Sequence, residues 1–157
     1  MQILENRELK IEVLLVEDSP GDVRLTLEAF REANSFVHLN VVSDGAEALA
    51  FLRQEGIHDS APRPDLILLD LNLPKMDGRE VLARIKKDDA LKTIPTVILT
   101  TSSDEVDVEK SYQLQANCYL SKPVELSAFE KLVRSINEFW LTDAMLPGKT
   151  PASTDAN

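Results

Sequence analysis

Short apolar runs alternate along this chain with longer stretches in which apolar positions recur at helical spacing. The first run, IEVLLV, is aliphatic or β-branched except for one glutamate and stops at two acids, which is typical of a buried strand. Five such runs lie at residues 11–16, 37–42, 65–70, 94–99 and 117–120. Five β–α units in succession predict an α/β fold, a doubly wound five-stranded parallel sheet with helices on both faces.

Residues with turn and helix-start preferences separate these runs. Ser19-Pro20-Gly21-Asp22 predicts the start of a first helix, which ends near Asn34. Residues 54–64 contain one glycine and two prolines and predict a loop, and residues 72–78 predict another loop after the third strand. The third helix ends at the basic pair 86–87, which suits the negative end of the helix dipole.

Chemically reactive side chains occur where the predicted strands end. Glu17 and Asp18 follow the first strand, Asp70 closes the third, Thr100 follows the fourth, and Lys122 comes just after the fifth. Because the carboxyl ends of parallel strands converge on one edge of the sheet, we expect these groups to share a pocket. Carboxylates, a hydroxyl and an ammonium together can hold a divalent metal and accept a phosphoryl group.

The three acids would lie within a few ångströms of one another. Two carboxylates about 4 Å apart repel by roughly 4 kcal/mol at an effective dielectric constant of about 20, and a divalent cation removes that penalty. All-oxygen ligands favour Mg²⁺, with Mn²⁺ or Ca²⁺ as alternatives, over zinc. The competing interpretation is that Glu17, Asp18 and Asp70 are helix caps and loop charges, and the residues taken singly leave both open.

Composition excludes several classes of function. The chain has 157 residues, the size of one domain, and a net charge of -10, so its surface repels nucleic acid. It lacks an apolar stretch long enough to span a membrane and a signal-peptide core at its start, so we expect no membrane association and a cytoplasmic location. Cys118 is the single cysteine, which fits a reducing compartment.

Four segments together resemble the receiver domain of two-component response regulators. They are LLVEDSPGDVRL, ILLDLNLPKMDG, VILTTSS and NCYLSKP, in that order. The resemblance covers about residues 10–140 and implies a flavodoxin-like receiver fold, with an N-terminal extension at 1–9. Residues 141–157 form a C-terminal extension, and its small, polar end predicts partial disorder.

The resemblance implies a role for each acid. Asp70 is the phosphoacceptor, Asp18 is a direct Mg²⁺ ligand, and Glu17 contacts the metal through water. The backbone carbonyl of Asn72 completes the protein ligands. Many family members carry Asp where this chain has Glu17, and we expect the longer side chain to preserve metal binding. The protein would then be a phosphoacceptor in signalling rather than an enzyme, with at most slow autodephosphorylation.

The same resemblance assigns the remaining residues to the phosphoryl group and to a switch. Thr100 and Lys122 contact the phosphoryl oxygens. Tyr119, three residues before the lysine, is the switch aromatic, which turns inward when Thr100 moves toward the phosphate.

The partners follow from a finer resemblance. Residues 54–64, the run EDSPGDVRLTLEAF and the segment FWLTDAMLP resemble a subgroup of stand-alone regulators that serve phytochrome-type sensor histidine kinases. The signal would pass to a downstream protein target by contact. The exposed apolar residues of FWLTDAMLP suggest a homodimer seam through the fourth-helix to fifth-helix face and the C-terminal segment, or else a cap on the sheet edge.

Three other functions compete with the receiver interpretation. A small Mg²⁺-dependent aspartyl-phosphate phosphatase of the haloacid dehalogenase type would carry D-x-D after its first strand, whereas Asp70-Leu71-Asn72 follows the third. A flavodoxin-like FMN binder would need a phosphate loop where Glu17 and Asp18 stand. A pseudo-receiver interaction module, which binds partners without phosphorylation, would not need the complete set of acids, threonine and lysine.

Overall fold

The computed structural model describes residues 11–32, 37–100 and 118–121, together with Ser127, Glu130, Lys131 and Arg134, which are helical. The strands are β1 (Ile11–Val16), β2 (Val37–Val42), β3 (Leu66–Leu69), β4 (Thr96–Thr100) and β5 (Cys118–Ser121). The helices with described bounds are α1 (Pro20–Glu32), α2 (Gly45–Arg53), α3 (Gly78–Lys87) and a 3₁₀ helix at Gly56–His58. None of the helices in this part of the chain is long and apolar enough to cross a membrane.

The five strands form one parallel sheet in the order β2-β1-β3-β4-β5. The register pairs Val16 with Val42 on one side and with Leu69 on the other, so β1, β2 and β3 end level with one another. Thr100 likewise pairs with Ser121 at the ends of β4 and β5. The predicted α/β doubly wound sheet is confirmed, and its carboxyl edge gathers the residues that follow each strand.

Two apolar layers enclose the sheet because successive strand residues face opposite sides. Among the described residues, the larger layer packs α2 and α3 against one face, and the smaller layer packs α1 against the other. Strand residues of the larger layer include Leu14, Val16, Ile67 and Leu69, and those of the smaller layer include Val13, Leu15, Leu66 and Leu68. All eight are buried, so the ends of β1 and β3 are held on a rigid base.

Polar residues fix where each helix begins. Ser19 Oγ accepts a hydrogen bond from the Asp22 N–H at 3.3 Å, the Asp44 carboxylate accepts one from Glu47 N–H at 2.8 Å, and the Asp77 carboxylate accepts one from Arg79 N–H at 2.7 Å. These contacts satisfy N–H groups that the first turn leaves without helical partners. Each of the three helices therefore starts directly beyond the carboxyl edge of the sheet.

Residues 54–64, which the sequence predicts as a loop, contain the short 3₁₀ helix. Its backbone closes through bonds from the His58 N–H to Glu55 O at 3.0 Å and from the Asp59 N–H to Gly56 O at 3.2 Å. The His58 ring packs against Phe51, with ring centroids 5.3 Å apart. The imidazole ring therefore packs residues 54–64 against α2, and no local sequence pattern predicts this contact.

Candidate functional site

Three carboxylates meet at the carboxyl edge of the sheet. One oxygen each from Glu17, Asp18 and Asp70 lies within 4.8 Å of the other two. Glu17 is 3% exposed and Asp70 is 6% exposed, whereas Asp18 is open to solvent. The group thus combines two buried acids with one that is exposed to solvent.

Backbone hydrogen bonds place Glu17. Its N–H donates to Val42 O at 3.0 Å and so extends the β1–β2 ladder by one residue. Its carboxylate accepts a hydrogen bond from the Ser19 N–H at 3.2 Å, within the turn that leads into α1. Because the glutamate is tied at both its backbone and its side chain, its orientation is defined before any ligand binds.

Asp70 is placed in the same way from the neighbouring strand. Its N–H donates to Val16 O at 3.1 Å, which joins the end of β3 to the end of β1. Its Oδ1 accepts a hydrogen bond from the Asn72 N–H at 2.9 Å. This bond orients the carboxylate toward the edge where Glu17 and Asp18 lie.

The segment between Asp70 and α3 is a closed loop. Leu71 O accepts hydrogen bonds from the Leu73 N–H at 3.2 Å and the Gly78 N–H at 3.0 Å, and Pro74 O accepts one from the Met76 N–H at 2.7 Å. Leu71 itself is fully buried. The loop therefore returns to its own starting point, and the start of α3 lies against the backbone of Asp70.

The donor set fits a hard divalent cation. Three carboxylates at this separation repel one another, and solvent weakens the repulsion that involves the exposed Asp18. Mg²⁺ and Mn²⁺ take oxygen ligands, and Mg²⁺ typically uses one or two carboxylates, leaving positions for water and phosphate. The two buried acids and the exposed Asp18 match that pattern, because the exposed side keeps room for water and a phosphoryl group.

The structure describes the other predicted site residues to different extents. Asn72 lies in the loop after Asp70, where its N–H contacts Oδ1 of that residue. Thr100 is the last residue of β4, and Tyr119 lies within β5, opposite Ile98. The side chains of Thr100 and Tyr119, and all of Lys122, lie outside the described residues, so their predicted contacts with the phosphoryl group remain predictions.

A groove of about 830 Å³, lined by both apolar and charged side chains, lies beside this site, between α1 and β2. Glu17 and Asp18 border it, and Leu27 and Val41 line it. Leu27 is 45% exposed and Val41 is 37% exposed, which is high for large apolar side chains. Exposed apolar side chains therefore lie next to the carboxylates in this groove.

The architecture and the acid cluster together match a known family. A family model described as the response regulator receiver domain matches residues 13–134. The chain belongs to this family. A receiver is therefore the correct choice over a phosphatase of the dehalogenase type and over a flavin binder, and the sequence interpretation is confirmed on this point.

Relatives place the receiver within its family. Response regulator Rcp1 of Synechocystis sp. is 52% identical over 135 residues, which cover 86% of this chain and 92% of the relative. The solved structure of the phosphorylated cyanobacterial phytochrome response regulator RcpA matches with a TM-score of 0.84 at 52% identity, covering 88% of this chain and 99% of that one. The Mn²⁺-bound form of Rcp1 matches with a TM-score of 0.83 at 51% identity and the same two coverages. The receiver is thus similar to response regulators of phytochrome signalling, as its sequence indicates.

Lys75, in the loop after Asp70, and Gly78, the first residue of α3, have structural roles that the sequence interpretation does not foresee. Lys75 has a positive φ of 64°, in the left-handed region, and its ammonium lies 3.5 Å from the Asp44 carboxylate. Gly78 packs so closely on the chain at Asp70 that a Cβ would overlap it. The sequence does show a glycine eight residues after a strand-end aspartate. Glycine is, however, also found at helix starts for reasons unrelated to such a contact, so the sequence alone does not indicate the close packing.

Proposed function

We propose that this receiver accepts a phosphoryl group on Asp70 from a phosphohistidine of a sensor histidine kinase, in the presence of Mg²⁺. The observation that carries the proposal is the meeting of Glu17, Asp18 and Asp70 within 4.8 Å at the sheet edge. A carboxylate there can act as the nucleophile of an aspartyl-phosphate reaction. The structures of phosphorylated RcpA and Mn²⁺-bound Rcp1, to which the chain is similar, support both halves of the proposal.

Four residues would hold the metal. Asp18 and Asp70 would supply carboxylate oxygens, Asn72 its backbone carbonyl, and Glu17 would act through a water molecule. The bound cation would supply positive charge that offsets the mutual repulsion of the carboxylates and the charge of the incoming phosphoryl group. Mg²⁺ is the expected ion, and Mn²⁺ or Ca²⁺ can occupy the same oxygen ligands.

The transfer itself requires little more than orientation. The Asn72 N–H donates to Oδ1 of Asp70 and so helps to orient the carboxylate. An oxygen of that carboxylate would form a bond to phosphorus while the bond between phosphorus and the donor histidine nitrogen breaks, and that nitrogen keeps the electron pair. The strand-end position of Asp70 fixes the direction from which its carboxylate approaches the phosphorus atom. Positioning of this kind supplies much of the rate acceleration in phosphoryl transfer.

Thr100, Lys122 and Tyr119 complete the proposed switch. Thr100 would donate a hydrogen bond to the phosphoryl group and Lys122 would pair with it, as positively charged and hydroxyl groups do in phosphoryl transfer. Movement of Thr100 would leave space for Tyr119 to turn inward and change the surface that a downstream protein reads. The receiver would thereby signal through protein contact.

The kinase partner is proposed to be of the phytochrome type, because RcpA is described as a phytochrome response regulator. We place its docking on the groove between α1 and β2, which borders Glu17 and Asp18. Leu27→Asp should slow phosphotransfer from the kinase at least tenfold while leaving phosphorylation by acetyl phosphate unchanged. Ile57→Asp is the matched control, since Ile57 is 89% exposed but lies outside the groove.

A homodimer through the fourth-helix to fifth-helix face and the C-terminal segment is also proposed. The support is the number of apolar residues in FWLTDAMLP, which exceeds what one helix face can bury. Molar mass measured by light scattering across a range of concentrations, with and without phosphorylation, tests it. A monomeric mass under every condition would remove the dimer from the proposal.

The deciding experiment is phosphorylation by acetyl phosphate, with and without Mg²⁺, read by intact mass. The wild type should gain one acid-labile phosphoryl group only when Mg²⁺ is present, and Asp70→Asn should gain none. Labelling of Asp70→Asn to the wild-type level would show that another residue is the acceptor. A wild type that gains nothing would favour the pseudo-receiver, a module that binds partners without phosphorylation.

A further inference from the structure

We propose that Gly78 is a positioning residue for the site: the absence of a side chain there holds the carboxylate of Asp70 and the carbonyl of Asn72 in place. The inference rests on the proposed role of these residues in metal and phosphoryl binding. Gly78 itself would contact neither the metal ion nor the phosphoryl group. It would act through the backbone of Asp70 and Leu71, against which the start of α3 lies.

The contact at Gly78 is too close for any side chain. A Cβ built on Gly78 would lie 2.3 Å from Asp70 O, 2.6 Å from Leu71 Cα and 3.1 Å from Asp70 C. All three are backbone atoms, which cannot rotate away as the end of a flexible side chain can. A methyl group would therefore displace either α3 or the peptide that joins Asp70 to Leu71.

Backbone conformation does not account for the glycine. Gly56 is the glycine with a positive φ among the described residues, and Gly78 is the first residue of α3. Alanine is ordinarily preferred to glycine in a helix, so helix propensity favours a methyl group at this position. The close approach to Asp70 is the physical reason for the glycine.

Displacement of the Asp70–Leu71 peptide would change the positions of two proposed metal ligands. The Gly78 N–H donates to Leu71 O at 3.0 Å, and the Asn72 N–H donates to Asp70 Oδ1 at 2.9 Å. A shift of the Asp70–Leu71 peptide changes both bonds. It turns the Asp70 carboxylate and moves the Asn72 carbonyl, two of the four proposed protein ligands.

Gly45 provides a matched control. It also follows an aspartate that caps a helix, and a Cβ on it would lie 2.6 Å from Val81 Cγ2 and 2.8 Å from Met76 O. The overlap is similar, but the three nearest atoms belong to Val81 and Met76 and none belongs to Asp70 or Leu71. Gly21, whose Cβ would have its nearest neighbour at 3.9 Å, is the control without overlap.

The experiment compares Gly78→Ala, Gly45→Ala and Gly21→Ala in the full chain. Calorimetry measures the Mg²⁺ Kd, and two-dimensional NMR of the metal-free protein measures the Asn72 amide shift, which reports its bond to Asp70. We expect Gly78→Ala to raise the Mg²⁺ Kd at least tenfold, because loss of a residue that orients metal ligands typically has an effect of this size. We also expect it to change the chemical shift of the Asn72 amide. Gly45→Ala and Gly21→Ala should stay within about twofold of wild type in Kd.

Two results would overturn the inference. One is an equal loss of Mg²⁺ affinity in Gly78→Ala and Gly45→Ala, which would indicate general loosening, and the other is an unchanged Asn72 amide in Gly78→Ala. If Gly78→Ala folds poorly, the substitution is repeated at low temperature on the Gly21→Ala background. Gly21 lies within α1, where alanine favours the helix over glycine. A wild type that resists acetyl phosphate would overturn the phosphoacceptor proposal, while Mg²⁺ affinity and the Asn72 amide would still decide the role of Gly78.

Discussion

Asp65 and Glu12 are joined by two hydrogen bonds across the start of the sheet. The Asp65 N–H donates to Glu12 O at 2.7 Å, and the Glu12 N–H donates to the Asp65 carboxylate at 2.9 Å. Asp65 is 7% exposed, so this carboxylate is shielded from water. The pair joins β1 to the residue before β3, at the end of the strands opposite to the carboxylate cluster.

Removing the Asp65 carboxylate should therefore destabilise the fold. Asp65→Ala leaves the Glu12 N–H without this acceptor, and we expect the free energy of unfolding to fall by about 1–3 kcal/mol. Asp65→Asn keeps a side-chain oxygen and should lose less than half as much. Urea denaturation followed by circular dichroism measures both, and equal losses would show that charge, not the hydrogen bond, matters at this position.

The left-handed backbone at Lys75 leads to a second prediction. A φ of 64° is strained for a residue with a Cβ, and the Lys75 side chain is 74% exposed, so its pairing with Asp44 contributes little. Lys75→Gly should raise the free energy of unfolding by about 0.5–1 kcal/mol. Lys75→Ala keeps the strain and loses the ion pair, so thermal denaturation should find it no more stable than wild type.

Repulsion within the carboxylate cluster leads to a third prediction. Asp18→Asn removes one of three negative charges that lie within 4.8 Å, and we expect it to raise the stability of the metal-free protein by up to about 1 kcal/mol. Mg²⁺ should stabilise the wild type by mass action and the variant far less. Thermal denaturation with EDTA and with Mg²⁺ measures both effects. An Asp18→Asn variant that keeps the wild-type Mg²⁺ response would exclude Asp18 as a direct ligand.

Burial of Lys86 gives the fourth prediction, on pH. Its ammonium donates hydrogen bonds to Lys92 O at 3.3 Å and Ile94 O at 3.5 Å, and desolvation lowers its pKa from 10.5. Between the lowered folded-state pKa and 10.5, the unfolded chain holds more protons than the folded one, so stability contributed by this group rises with pH. Urea denaturation from about pH 8 to about pH 11 should show this rise in wild type and a smaller one in Lys86→Met. Parallel curves for the two proteins would contradict it.

The sequence predicts the fold well because continuous apolar runs and the acids that follow them are local patterns. The bounds of β1 and β2 agree with the predicted runs, whereas β3 is shorter than predicted by one aspartate at each end. Asp65 falls outside β3 because its side chain, with its N–H, binds Glu12 instead of continuing the strand. The adjacency of Glu17 and Asp70 follows from parallel pairing, which the alternation of strands and helices predicts.

The features that the sequence does not predict depend on contacts between distant segments. Gly78 lies against Asp70 only because the loop closes on Leu71, and Lys75 adopts its left-handed conformation within that loop. His58 shows the same limit, since Phe51 and Glu47, which lie beside its ring, belong to a helix that ends before the predicted loop begins. Pattern reasoning treats each segment by itself and does not supply such partners.

The level ends of β1 and β3 have a consequence for how quickly the protein folds and unfolds. Val16 pairs with Leu69, and a slip of one residue would turn Asp70 away from Glu17 and Asp18. Only chains that have already aligned these two distant strands can offer the full set of oxygens to a cation. We therefore expect Mg²⁺ to slow the unfolding rate while leaving the refolding rate nearly unchanged, because the ion is captured after the rate-limiting alignment.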